Sequence, residues 1–228
     1  MPTRQKTLMY GGAFLTSIAS FVIICAVLGT QGWMDSKVSF SGGVNSTTTV
    51  SLTYGLFQVT CAQVINEGLQ ISDSNFQVAE ALKSSGTKGI NTAIIVLLVL
   101  ILLSSLLSSG FTCTNTVSNP YQTFLGPIGV YTWNSISGIL TLLVMILFPI
   151  NVEGNGMSLE LANKCISLAQ AQVGSEHRYS YSYWILLLSI IFNIVTIIII
   201  YFYDHARYSK KKEQERPIEN ASKDVILF

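Results

Sequence analysis

Charge is what this sequence has least of. Only 11% of its 228 residues are Asp, Glu, Lys or Arg, against about 25% in an ordinary soluble domain. That excludes a disordered, charge-solvated chain and a conventional cytosolic globule. The 13 Lys and Arg against 12 Asp and Glu give a formal net charge of +1, so no basic excess points to nucleic acid as a partner. Two His and four Cys, widely scattered, give no metal-ligand spacing, and neither a metal nor a cofactor is expected. A Ser-centred nucleophile elbow, a phosphate-binding Gly-rich loop and paired intramembrane carboxylates are also missing, so the chain reads as a protein without catalytic machinery.

Half of the residues are hydrophobic, and they are gathered into four runs. A membrane-spanning helix needs about 20 apolar residues to cross about 30 Å of hydrocarbon. Residues 8–30, 90–111, 126–150 and 183–203 meet that length with no Asp, Glu, Lys or Arg inside. The first run is longer than the ~7–15 residues of a signal-peptide core, so it is taken as a retained anchor. Lys and Arg near the span ends set the orientation. Arg4 and Lys6 precede the first span, and Arg207, Lys210, Lys211, Lys212, Arg216 and Lys223 follow the fourth. The expected topology is a cytoplasmic N-terminus (1–7), an exoplasmic first loop (31–89), a cytoplasmic loop (112–125), an exoplasmic second loop (151–182) and a cytoplasmic tail (204–228). The expected location is the plasma membrane.

The exoplasmic segments carry the local signals. Residues 39–59 read as strand, turn, strand, with Gly42 and Gly43 at the turn and β-branched and aromatic residues on either side. Residues 74–86 read as a short, weakly amphipathic helix capped by Asp73 or Ser74, with Phe76, Ala79 and Leu82 on one face. Residues 157–173 read as a second helix, with Leu161, Cys165 and Leu168 on its apolar face beside Ala162, Ile166 and Ala169. Asn45-Ser46-Thr47 matches the N-glycosylation pattern on the exoplasmic side, whereas Asn220-Ala221-Ser222 falls in the tail, out of reach of the glycosylation machinery. Cys61 and Cys165 are the two cysteines assigned to the oxidising side. They either form one bridge closing a loop of about a hundred residues or remain free and buried. Cys25 lies in the first span, and Cys113 is juxtamembrane, where palmitoylation is an open alternative.

Trp33, then Gly55-Leu56-Phe57, then Cys61 resembles the W…GLW…C…C pattern of claudin-like four-span proteins. Phe57 stands where the second Trp is usual, and the second cysteine of the first loop is missing. A more specific likeness lies between Asn119 and Gly138, where Asn119, Pro120, Tyr121, Gly126, Pro127, Gly129 and Tyr131 resemble the third-span entrance of the clarin family. YGLF at 54–57 and VMILF at 144–148 are similar to the same family's pattern. The resemblance implies an all-α membrane protein, a four-helix transmembrane bundle carrying a small exoplasmic antiparallel β-sheet in the first loop. It also implies a membrane-organising or adhesion-related role.

Within the spans the small and polar residues recur. Gly11, Gly12, Thr16, Ser17 and Ser20 line the first, Ser104, Ser105, Ser108, Ser109 and Gly110 end the second, and Gly126, Gly129, Ser135, Ser137 and Gly138 mark the third. Small residues let helix backbones approach in lipid. Packing within the bundle accounts for them, with a homodimer face as the alternative. Asn134 and Asn193 are expected to hydrogen-bond between helices, and His177 and His205 to be solvated interfacial residues. The tail after the basic run contains Pro217 and is expected to be extended. It ends Val225-Ile226-Leu227-Phe228, where Ile226 and Phe228 suit the alternate pockets of a PDZ groove; folding back onto lipid is the alternative. The functional expectation is a non-enzymatic organiser whose partners are the lipid bilayer, other membrane proteins and a PDZ-domain protein. A claudin-like contact protein acting between cells is the alternative, and a pore subunit the weaker one.

Overall fold

The computed structural model describes residues 4–41, 47–65, 69–117, 126–166 and 171–224. Its four long apolar helices are α1 (Arg4–Gly29), α3 (Ser85–Val117), α4 (Pro127–Pro149) and α6 (Tyr181–Asp224), each long and apolar enough to cross a membrane. α1 packs on α3 and α6, and α4 packs on the same two helices from the other side. In a bilayer the outward residues need no polar cover, so Leu15, Val22, Val96, Leu103, Leu142 and Ile191 are exposed on the outside of the bundle, while Ser17, Ser20, Ser105, Ser108, Ser137 and Thr196 are buried within it. That inversion of the soluble pattern is what lipid as solvent requires. Pro127 stands first in α4, with Gly126 as the preceding cap, where a missing N–H costs nothing.

Between α1 and α3 the chain forms β1 (Met34–Ser41), β2 (Thr47–Tyr54), β3 (Gln58–Ile65) and β4 (Leu69–Gln77), then a single turn, α2 (Val78–Ala81). Beyond α4, a π-helical turn at Ile150–Gly154 leads into α5 (Met157–Cys165) and β5 (Ala171–Tyr179). The five strands form one antiparallel sheet in the order β4-β3-β2-β1-β5. Alternation decides its faces. Met34, Ser36, Val38 and Phe40 of β1 and Val50, Leu52 and Tyr54 of β2 point inward and are buried, and α5 lies against them. One continuous apolar cluster runs from Ile24, Leu98 and Val144 in the bundle through Trp33 and Phe148 to Val38, Leu52 and Leu161 under the sheet.

The structure corrects several local expectations. Residues 69–77 are a strand, not the start of a helix. Ser74 pairs with Cys61 and Phe76 with Val59, so Asp73 and Ser74 sit in β4 and cap nothing, and the helical part shrinks to α2. The weakly amphipathic local pattern yields to the hydrogen-bonding edge that β3 offers. The second-loop helix ends at Cys165, not at 173. Residues 171–179 instead pair with β1 as a fifth strand, a contribution of the second loop that the sequence reading missed. Finally, the tail expected to be extended continues from the span as helix to Asp224. An existing helix needs no new nucleus, so propagation alone carries it through Pro217 at the loss of one backbone hydrogen bond.

Candidate functional site at the junction of sheet and bundle

Trp33 is the hinge point between the membrane helices and the sheet. It is fully buried, its indole Nε1 donates to the Val27 carbonyl at 2.9 Å, and its ring lies 4.9 Å from that of Phe148. Phe148 continues the aromatic contact to Tyr179 at 6.4 Å and to Tyr183 at 6.0 Å. The Trp33 backbone completes the joint, its N–H donating to the Tyr54 carbonyl and its own carbonyl accepting from Ser180. Gly55 sits where a Cβ would come within 2.4 Å of the Thr30 carbonyl oxygen, so no side chain fits between the β2 turn and the end of α1. Leu56 is buried, and its carbonyl accepts from Asn91 Nδ2 at 3.2 Å, tying the same turn to α3. Phe57 is 48% exposed and lines a cavity of about 350 Å³ with Lys88, Thr92 and Ile95 of α3.

Across the sheet, Cys61 of β3 and Cys165 at the end of α5 are joined by a disulfide, with Cα atoms 6.5 Å apart. Gln63 donates a side-chain hydrogen bond to the Cys165 carbonyl. Between the sheet and α5 runs a polar chain that the sequence did not reveal: Tyr54 OH to Ser158 Oγ at 2.6 Å, Ser158 Oγ to Ser36 Oγ at 3.1 Å, and Ser36 Oγ to His177 Nδ1 at 3.0 Å. His177 is therefore half-buried and hydrogen-bonded, not simply solvated. His205 is exposed as expected. Burial pushes the Tyr54 hydroxyl up to about 12, against the opposing pull of its hydrogen bonds with Ser158 and Ser36. Tyr179 is also raised, first by burial and then by its hydrogen bond to Glu153, which it donates at 2.7 Å.

The intramembrane amides make the interhelical hydrogen bonds expected of them. Asn134 of α4 donates to Ser108 Oγ of α3 at 2.6 Å, and Asn193 of α6 donates to Ser137 Oγ of α4 at 3.1 Å. Hydroxyl pairs close the other seams, Thr16 with Thr196 at 2.7 Å, Ser20 with Ser189 at 2.8 Å and Ser17 with Ser108 at 3.2 Å. At the end of the bundle away from the sheet, Gly126 and Gly129 are buried and Tyr131 is half-buried. Cys25 and Cys113 are free thiols. Among the described residues no three His, Cys, Asp or Glu side chains converge as a metal site would require. Asn45, Asn119, Pro120, Tyr121, Ile226 and Phe228 lie outside the described residues.

The family model described as Clarin-2-like matches residues 5–200. Over all 228 residues, and over the whole of each relative, the chain is 49% identical to Clarin-3 of Mus musculus and 46% identical to Clarin-3 of Homo sapiens. It is 28% identical to Clarin-2 of Homo sapiens over 198 residues, which cover 83% of this chain and 84% of that one.

Proposed function

The chain belongs to the clarin family, and on that premise we infer that it is a non-enzymatic membrane organiser. In this reading it holds a rigid sheet at one membrane surface and gathers neighbouring membrane proteins around it. The observation that carries the reading is the outward face of the sheet. Lys37, Thr49, Ser51, Thr53 and Thr60 alternate with the buried positions and are at least partly exposed, making a polar platform. That platform is fixed to the bundle at Trp33 and Gly55, and the Cys61–Cys165 bridge braces it against α5. A preorganised surface of this kind suits binding at low entropic cost.

The Lys and Arg distribution supports an orientation with both termini cytoplasmic; in this reading the membrane is the plasma membrane, the sheet lies outside the cell, and Asn45 is a glycan site. The apolar terminus with Ile226 and Phe228 supports capture by a PDZ-domain protein on the inner side. Proximity labelling from a C-terminal fusion in intact cells tests the organiser reading. Enrichment of membrane neighbours from the same cell, lost when the sheet is replaced by a flexible linker of equal span, is the expected result. Enrichment at contacts between transfected cells, with aggregation of those cells, would favour adhesion between cells instead.

A further inference from the structure

Beside the exoplasmic-type sheet, where β5 hands over to α6, lies an open cavity of about 630 Å³. Asp35, Arg178, Tyr179, Tyr181 and Trp184 are among its lining residues. Tyr181 opens the fourth span, and Ile185, Leu187 and Leu188 just beyond it are exposed on the outside of the bundle. The cavity therefore sits at headgroup depth.

Aromatic residues at a span end are ordinary anchors. Two features here go beyond that. The first is a separated pair of opposite charges. Asp35 and Arg178 face each other across the β1–β5 ladder, yet Asp35 takes its hydrogen bond from Thr53 Oγ1 at 2.8 Å, and no ion pair joins the two among the described contacts. One free carboxylate oxygen and one free guanidinium thus border the same space. The second is that the aromatic walls are held in place. The Trp184 Nε1 donates to the Tyr179 carbonyl at 3.3 Å. The Tyr181 ring lies so close over Gly32 that a Cβ there would stand 2.2 Å from it, and Ser182 N–H donates to the Gly32 carbonyl at 2.9 Å.

We propose that this cavity binds the zwitterionic phosphocholine headgroup of a membrane lipid, with the trimethylammonium against Tyr181, Trp184 and Asp35 and the phosphate on Arg178. A quaternary ammonium has no N–H to donate, so it is recognised by aromatic faces and a diffuse negative charge. A phosphate is recognised by the planar guanidinium fork. The cavity supplies both at one edge of the membrane, and an anionic lipid without the ammonium gains nothing from Asp35 and is repelled by it. The inference needs only the four spans and not their orientation, so it stands or falls separately from the organiser role.

The test uses the full chain, purified in a maltoside detergent, passed through nanodiscs of equimolar phosphatidylcholine and phosphatidylglycerol with identical acyl chains, and released for native mass spectrometry. Retained phosphatidylcholine should exceed phosphatidylglycerol by about tenfold, a ratio between those of an exposed and a fully desolvated cation–aromatic contact, as suits an open cavity. Trp184→Leu, at an exposed position, should bring the ratio toward parity, whereas Arg178→Gln, also exposed, removes the contact that both phosphodiesters share and should lower the retention of both lipids. Gly32→Ala should bring the ratio toward parity by displacing the Tyr181 ring. Lys88→Gln, a cation of α3 outside the cavity, should leave the ratio unchanged. Soluble phosphocholine is the second arm, and it should displace the retained lipid. Equal retention of both lipids, a preference for phosphatidylglycerol, a ratio unmoved by Trp184→Leu and Gly32→Ala, retention of both lipids unmoved by Arg178→Gln, or retention insensitive to soluble phosphocholine would each overturn the site.

Discussion

The indole of Trp33 donates its N–H to the carbonyl of Val27, six residues back in the chain and 2.9 Å away. Val27 is in the last turn of α1, which ends at Gly29, and the last carbonyls of a helix have no partner within it. Trp33 therefore acts as a side-chain cap while its ring fills the space against Phe148. One residue closes the helix, starts the sheet and packs the join.

Trp33→Phe keeps most of the ring and removes the donor. The Val27 carbonyl then keeps only the longer 3.4 Å hydrogen bond from Thr30 Oγ1, a loss of about 0.5–1.5 kcal/mol. Thermal unfolding of the detergent-solubilised protein should show a lowered midpoint. Trp33→Leu should lower it further, by the lost aromatic contact.

Gly55→Ala places a methyl 2.4 Å from the Thr30 carbonyl oxygen. Both sides of this contact are backbone, so neither can swing away. Overpacking of this kind typically costs about 1–3 kcal/mol. The expected outcome is reduced yield of folded protein and weaker protection of the Asn91 to Leu56 contact in hydrogen exchange at the neighbouring amides. Gly29→Ala, where a Cβ meets nothing within 4 Å, is the matched control.

The disulfide between Cys61 and Cys165 links positions 104 residues apart. Chain-entropy arithmetic puts its contribution at roughly 4–5 kcal/mol. Cys61→Ser and Cys165→Ser should each slow migration on non-reducing gels to that of the reduced protein, and should lower the unfolding midpoint equally. Labelling of both thiols by an impermeant maleimide in unreduced cells would contradict the bridge.

Tyr54 is raised to about 12, chiefly by burial, against about 10 for an exposed tyrosine. The neutral hydroxyl is the form the fold favours. Its contribution is complete below pH 10 and is lost as pH rises from 10 through 12, because the unfolded chain releases that proton first. Alkaline unfolding followed by circular dichroism should therefore steepen above pH 10. Tyr54→Phe should flatten that dependence while lowering stability at neutral pH, since Ser158 loses its 2.6 Å partner.

Asn134→Leu removes the donor to Ser108 between α4 and α3. Interhelical hydrogen bonds in lipid contribute about 0.6–2 kcal/mol. The variant should still insert with four spans but unfold earlier, and Ser108→Ala in the same background should add only the loss of its 3.2 Å contact with Ser17, because the contact with Asn134 is already gone.

Some of this was written into local sequence. An uncharged run of about 20 apolar residues has one stable state in a bilayer, so the spans around 8–30, 90–111, 126–150 and 183–203 could be read directly. Strand character within 39–59 was legible from its β-branched and aromatic residues, but β1 begins at Met34, ahead of that window, and β2 ends at Tyr54 before β3 starts at Gln58. Asn134 and Asn193 were legible as bonding partners because an amide in hydrocarbon has nowhere else to turn.

What only the tertiary structure decided involves a partner outside the segment itself, the preceding strand for β4 and a distant one for β5. Residues 69–77 became a strand because β3 offered an open edge, and residues 171–179 became one because β1 did, more than a hundred residues away in sequence. Nothing local to either segment encodes that edge. The same holds for the chain from Tyr54 through Ser158 and Ser36 to His177, whose four members come from four separate elements and a serine-rich background in which no single serine stands out. Sequence by itself fixed which segments enter the membrane, since transfer into lipid is a property of each segment alone. Strand pairing and buried hydrogen bonds are properties of two segments at once, so they were settled only when the bundle brought the two loops together.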